Sequence, residues 1–76
     1  MNVELLRAVG EALYGSRWQH ELAAALDVNE RTVRRWVSGA TPVPAFLASA
    51  LFRLVLDRTA TLDELLDQLR PIASRP

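Results

Sequence analysis

The chain contains no cysteine and no lysine. Without cysteine there can be no disulfide, no thiol nucleophile and no thiolate metal site. His20 is the only histidine, and the sequence shows no partner set that would make it a catalytic base or a metal ligand. We therefore expect no catalytic residues, no metal and no cofactor, and an enzyme is the function class that the sequence favours least.

The chain also lacks a long apolar run, and none approaches the roughly 20 residues that a membrane-spanning helix needs. The first ten residues, MNVELLRAVG, include Glu4 and do not follow the signal-peptide pattern. A cytoplasmic location without a membrane partner is expected. With 76 residues, half of them apolar, the chain is long enough for one small domain, residues 1–76, close to the size at which a single core is marginal.

The net charge is zero, which at first argues against a nucleic-acid ligand. The charges are unevenly distributed, however. Between positions 31 and 58 the acidic residue Asp57 is accompanied by five basic residues: Arg31, Arg34, Arg35, Arg53 and Arg58. Acidic residues concentrate near the C-terminus, at Asp63, Glu64 and Asp67. This distribution allows one basic face, with weak non-specific DNA binding that salt disrupts.

Apolar residues recur at helical spacing along most of the chain, which predicts an all-α, compact bundle of about five short helices. The first helix covers residues 3–14, and Gly15 provides a left-handed stop. The second begins at Ser16, where Ser16 and Gln19 match a capping box.

Residues 16–39 form the central feature, two short helices joined by a tight turn at Asp27 and Val28. Asn29 is a good N-cap for the third helix, which Gly39 ends. Val33, Trp36 and Val37 share one arc of this helix, and Thr32 lies at its border. The opposite arc holds hydrogen-bonding side chains: Glu30, Arg31, Arg34, Arg35 and Ser38. This pattern predicts a helix-turn-helix core over residues 16–39.

Residues 44–70 are expected to support this core or to form a dimer surface. A fourth helix begins at Pro44, runs to about Arg58 and is apolar nearly all round, so part of its cover is expected from a second subunit. Thr61 and Glu64 match a second capping box. They open a fifth helix that Pro71 ends, with an inner face of Leu62, Leu65, Leu66 and Leu69.

The central segment resembles the lambda-repressor-like, Cro/C1-type (XRE-like) helix-turn-helix regulators of bacteria and phage. The residues that carry the resemblance cover the central third of the chain: Gln19, Glu21, Leu22, Ala23, Leu26, Val28, Thr32, Val33, Trp36 and Gly39. Asp27 stands where the family usually has glycine, and Trp18 where a small hydroxyl residue often precedes the glutamine.

The resemblance implies DNA-contacting roles for seven residues. Gln19 would touch the DNA backbone, Arg34 a base or a phosphate, and the base readers would be Glu30, Arg31 and Arg35, with Asn29 and Thr32 as secondary candidates. An arginine fork matches the two major-groove acceptors of guanine and discriminates by about 1–3 kcal/mol. Glu30 can accept from a cytosine amino group or hold a neighbouring arginine in place.

These features favour a sequence-specific transcriptional regulator, a homodimeric repressor or autoregulator that binds a palindromic operator in double-stranded DNA through the major groove. The alternative is a protein-interaction module, or an antitoxin-type regulator, that docks a partner protein. The zero net charge and the apolar fourth helix motivate that second hypothesis.

Overall fold

The computed structural model describes residues 1–75, and all regular structure in this range is helical. Its four α-helices are α1 (Val3–Tyr14), α2 (Trp18–Leu26), α3 (Glu30–Ser38) and α4 (Leu47–Ala73), and a 3-10 turn, Gly15–Arg17, joins α1 to α2. The all-α prediction is confirmed. Among the helices of residues 1–75, none combines the length and the apolar character required to cross a bilayer.

Local signals placed the ends of α3 and the turn before it correctly. Asp27 ends α2 in the left-handed conformation, with φ 56°. Asn29 caps α3 by accepting a hydrogen bond from the backbone N–H of Arg31 at 2.8 Å, and Gly39 ends it with φ 83°. Gly15 also has a positive φ, 77°, but its ψ of −146° lies outside the left-handed helical region that was predicted for it.

The core lies where α1, α2 and α3 meet the start of α4. Its buried side chains are Leu6, Trp18, Leu22, Ala23, Val33, Trp36, Leu47 and Leu51. The indole of Trp18 occupies the space beside Gly10, where an added Cβ would lie 2.1 Å from the ring. The predicted core position of Trp36 is confirmed, with 5% of the residue exposed.

The predicted start of α2 at Ser16 is wrong. Ser16 lies in the 3-10 turn, the helix begins at Trp18, and Arg17 in the N-cap position makes no side-chain capping bond. A capping bond is worth about 1 kcal/mol, whereas burial of a large aromatic side chain contributes more. We attribute the later start to the packing of Trp18 against Gly10.

The predicted fourth and fifth helices are one continuous helix, so the predicted count of five is wrong. Thr61 does not cap a new helix, because its Oγ1 donates to the carbonyl of Asp57 at 3.2 Å, one turn earlier. This is the bond that a mid-helix threonine makes. Pro71 lies inside the helix rather than ending it. The predicted start of this helix at Pro44 is also wrong, because α4 begins at Leu47. Pro44 lies in the turn before the helix, where its carbonyl accepts a hydrogen bond from the backbone N–H of Leu47 at 3.1 Å.

The second half of α4 therefore extends beyond the core. Leu51 is the last buried residue among those described, and the protein measures 54 Å along its longest axis against 22 and 21 Å across. The predicted inner face of residues 62–70 is exposed, with Leu62, Leu65, Leu66 and Leu69 each about half accessible, at 46–56%. We refer to residues 59–73 as the α4 arm.

Candidate nucleic-acid interface

Helix α3 has two chemically distinct sides. Val33 and Trp36 are buried in the core, and Val37 packs against it. Arg31, Arg34 and Arg35 are exposed on the remaining surface. Three arginines and Glu30 give this nine-residue helix a net charge of +2, although the whole chain is neutral. The exposed side of α3 can therefore attract an anionic ligand.

The core holds α3 firmly against α2. Val33 is fully buried in the same cluster as Leu22 and Ala23 of α2. The turn between the helices is closed by the backbone N–H of Val28, which donates to the carbonyl of Ala23 at 3.0 Å. Because Ala23 has a small side chain and is 3% exposed, the two helix backbones can approach closely. The exposed arginines therefore project from a helix that is anchored in the core.

Glu30 is held from two sides and is less accessible than the three arginines of α3. Its Oε1 lies 2.9 Å from Nδ1 of His20 on α2, and its Oε2 accepts a hydrogen bond from the guanidinium of Arg34. Both oxygens already have a partner. The geometry therefore favours the second of the two predicted roles for Glu30, which is to position a neighbouring arginine.

Arg31 and Arg35, unlike Arg34, do not pair with Glu30. The ion pairs formed within residues 1–75 involve Glu30 and Asp67, and they leave the guanidinium groups of Arg31 and Arg35 without an acidic partner. Both side chains are exposed. A guanidinium fork that is not engaged by the protein retains all five of its donors for a ligand.

The two secondary candidates on α3 are more constrained. The Oδ1 of Asn29 caps α3 by accepting a hydrogen bond from the backbone N–H of Arg31. The amide nitrogen of Asn29 is therefore the part of the side chain that is left for a ligand. Thr32 is half-buried, and its backbone N–H donates to the carbonyl of Asn29 at 2.9 Å. Both residues lie at the start of α3, beside the exposed Arg31.

The first turn of α2 lies beside the first turn of α3. The contact between His20 and Glu30 shows this directly. Gln19 precedes His20 and is half-buried, so the structure brings this predicted backbone-contacting residue close to the arginine-bearing helix. Trp18 next to it is 5% exposed and belongs to the core.

Sequence reasoning missed the part played by His20, for which it found no catalytic or metal-binding partners. No spacing rule connects positions 20 and 30, because their proximity depends on how α2 and α3 cross. It also placed Arg58 in the same basic group as the arginines of α3. The structure instead uses Arg58 within the fold: its Nη2 donates to the carbonyl of Leu13 at 2.7 Å, and its guanidinium lies 5.7 Å from the centre of the Tyr14 ring.

Comparison of the chain with protein-family models, with curated proteins and with solved structures yields no match. Among residues 1–75, no three His, Cys, Asp or Glu side chains lie close enough together to hold a metal ion.

Proposed function

We propose that α2, the turn at residues 27–29 and α3 form a helix-turn-helix, and that the chain is a sequence-specific DNA-binding regulator of transcription in the cytoplasm. The observation that carries the proposal is that Arg31 and Arg35 are exposed and have no acidic partner within residues 1–75, on a helix whose other side is fixed by Val33 and Trp36. We assign the chain a binding role and no catalytic one.

In this proposal α3 lies in the major groove, and each residue has a distinct task. Arg31 and Arg35 read guanines through bidentate hydrogen bonds. Arg34, which Glu30 holds in place, contacts a base or a phosphate. Gln19 and the backbone amides at the start of α2 bind phosphates, which position the protein without reading sequence.

Two copies of the chain related by a two-fold axis would read a palindrome, with half-sites about 34–36 Å apart, one turn of DNA. We propose that the protein represses its own operon or a neighbouring one in this form. The modest excess of basic over acidic residues between positions 31 and 58 supports a weak non-specific affinity that salt disrupts, since it rests on phosphate contacts that release counterions.

The test is fluorescence anisotropy with a labelled duplex from the DNA upstream of the protein's own coding region, against a scrambled duplex, across a salt series. We expect a preference of at least about a hundredfold that survives moderate salt. Arg31→Ala and Arg35→Ala should each weaken specific binding by roughly tenfold or more and relax base choice at one position.

Two further variants serve as controls. Gln19→Ala should weaken binding to both duplexes alike, because a phosphate contact carries no sequence information. Arg7→Ala removes the same charge from an exposed position on α1 and should leave the preference unchanged. Equal, salt-sensitive binding to own and scrambled DNA, together with no protected site elsewhere in the neighbouring operons, would refute the proposal.

The second candidate function is docking of a partner protein, as an interaction module or an antitoxin-type regulator. The exposed leucines of the α4 arm are the observation that favours it. Copurification of a stoichiometric protein from the native host, with loss of solubility in its absence, is the result that would favour this function over DNA binding.

A further inference from the structure

Helix α4 carries a regular seam, apolar except for Thr59, whose members are all exposed in the described chain. At alternating spacings of four and three residues it contains Ala48, Phe52, Val55, Thr59, Leu62, Leu66, Leu69 and Ala73. Such a repeat is typical of a helix that packs lengthwise against another helix. The large members of the seam are open to solvent: Phe52 is 69% exposed and Leu69 is 56% exposed.

The first half of the seam forms one wall of an apolar groove. Along α4 this wall consists of Ala48, Phe52, Val55, Thr59 and, at its end, Leu62. The opposite wall belongs to α1 and consists of Leu5, Ala8, Val9 and Ala12. Beyond Leu62 the seam continues on the α4 arm, away from α1. One chain therefore contains both an apolar groove and an apolar helix. Four seam positions come before residue 60, along the groove, and four come after residue 61, along the arm.

We propose that a second copy of this chain covers the seam. The two α4 helices pair antiparallel around a two-fold axis that passes between Ala60 and Thr61, so that the arm of each copy lies in the groove between α1 and α4 of the other. In this register every seam position meets another: 48 faces 73, 52 faces 69, 55 faces 66, and 59 faces 62. The same patch is used by both copies, as a two-fold interface requires.

The charges on α4 agree with the antiparallel direction. Residues 47–58 contain Arg53, Asp57 and Arg58, a net charge of +1. Residues 59–73 contain Asp63, Glu64, Asp67 and Arg70, a net charge of −2. Antiparallel pairing places each acidic half beside a basic half, whereas parallel pairing would place the two acidic halves together. Like charges at close range are disfavoured.

The exposed apolar surface is of the size that a dimer needs. Eight large side chains on the groove and arm are 40–69% exposed: Leu5, Phe52, Val55, Leu62, Leu65, Leu66, Leu69 and Ile72. At about half exposure, eight such side chains present several hundred Å² of apolar surface, the same order as the roughly 800 Å² that one partner contributes to a standard interface. The largest apolar patch of a typical monomer is about 300–600 Å².

The absence of native cysteine allows a direct test of the register in the full chain without DNA. Val55→Cys and Leu66→Cys both alter exposed positions, so the fold of the single chain should survive, which circular dichroism can check. Under mild oxidation we expect an equimolar mixture of the two variants to form a disulfide-linked heterodimer. Neither variant should link to itself, because the two copies of residue 55 lie about 16 Å apart along the axis, beyond disulfide reach.

A matched pair of charge variants tests the interface without cross-linking. Leu66→Glu places a carboxylate in the seam and should raise the dimer dissociation constant at least about a hundredfold in sedimentation equilibrium. Gln68→Glu adds the same charge to the arm outside the seam and should change it little.

Three results would overturn the proposal. One is a wild-type chain that stays monomeric at high micromolar concentration, whether its arm is free or binds another protein. Another is self-linking of Val55→Cys or Leu66→Cys, which indicates parallel pairing. The last is an intrachain disulfide in a monomeric double variant, which indicates that the arm folds back on its own groove. Since none of these variants alters α3, DNA binding can fail while the dimer is found, and the reverse.

Discussion

His20 and Glu30 join the first turns of α2 and α3, with Nδ1 of the imidazole 2.9 Å from Oε1 of the carboxylate. Arg34 occupies the other oxygen. The three side chains form a short chain of hydrogen bonds that ends at a guanidinium on the exposed side of α3. Glu30 therefore restricts the orientation of Arg34 before any ligand arrives, which reduces the conformational entropy that binding would cost.

The first prediction concerns this positioning role. Glu30→Gln should change the free energy of unfolding by less than about 1 kcal/mol, because partly exposed ion pairs contribute little to stability. It should nevertheless reduce the preference for the specific duplex, since Arg34 loses its charged partner. In anisotropy titrations Glu30→Gln and Arg34→Ala should be non-additive, as expected for residues that act through one contact. Additive losses, with altered preference at one cytosine, would show that Glu30 reads a base itself.

The turn at Asp27 and both ends of α3 were predictable because their signals are local. Asn29 and Gly39 act on backbone groups within a few residues of themselves, and Val33 and Trp36 lie on the side that helical periodicity assigns to the core. The contacts that the sequence did not reveal connect distant positions. Arg58 reaches the carbonyl of Leu13 across 45 residues, and only the packing of α1 against α4 brings them together.

The α4 helix was predicted less well because each of its signals has two uses. A threonine followed three residues later by glutamate can begin a helix, but a threonine hydroxyl can equally bond to the preceding turn, as Thr61 does. Leucines at helical spacing likewise predict a helix face that packs against another surface. They do not indicate whether that surface belongs to the same chain or to another one. The sequence assigned Leu62 and Leu66 to the core of a single chain, and the structure leaves them exposed.

The second prediction concerns the contact between Gly10 and Trp18. Alanine in place of a helical glycine usually stabilises a helix by about 1 kcal/mol. Here Gly10→Ala should destabilise the protein by about 1–3 kcal/mol, because the new Cβ would lie 2.1 Å from the buried indole. Urea denaturation measures the change. In a Trp18→Leu background the same substitution should become neutral or stabilising, and a stabilising effect in the wild-type background would contradict the packing described here.

The third prediction concerns the turn before α3. Asp27 has φ 56°, a conformation that is strained for residues with a Cβ. Asp27→Gly should raise the free energy of unfolding by about 0.5 kcal/mol, because relief of this strain outweighs the greater entropy of glycine in the unfolded chain. Asp27→Ala should lower it. Thermal and urea denaturation of the two variants provide the comparison, and a loss of stability in Asp27→Gly would mean that the aspartate side chain stabilises the turn.

The fourth prediction concerns the link between α1 and α4. Arg58→Ala removes the bond to the carbonyl of Leu13 and the contact with the Tyr14 ring. We expect the free energy of unfolding to fall by about 1 kcal/mol. This is less than a fully buried hydrogen bond to a charged group contributes, because the arginine is exposed. Arg53→Ala, which removes an exposed arginine five residues earlier on the same helix, should cost little. Equal losses in urea denaturation would assign the effect to net charge and not to the Leu13 contact.

The fifth prediction separates the folded body from the α4 arm. A chain that ends after Ala60 keeps Leu51, the last buried residue described, and Arg58 with its bond to Leu13. It should therefore remain helical and unfold cooperatively, but as a monomer in light scattering. On the duplex that the full chain prefers, destroying one half-site should weaken full-length binding strongly. It should weaken binding of the shortened chain by no more than about twofold, the statistical factor for losing one of two equivalent sites, since a monomer engages one half-site at a time. Loss of helical structure in the shortened chain would instead show that the arm contributes to the core of a single subunit.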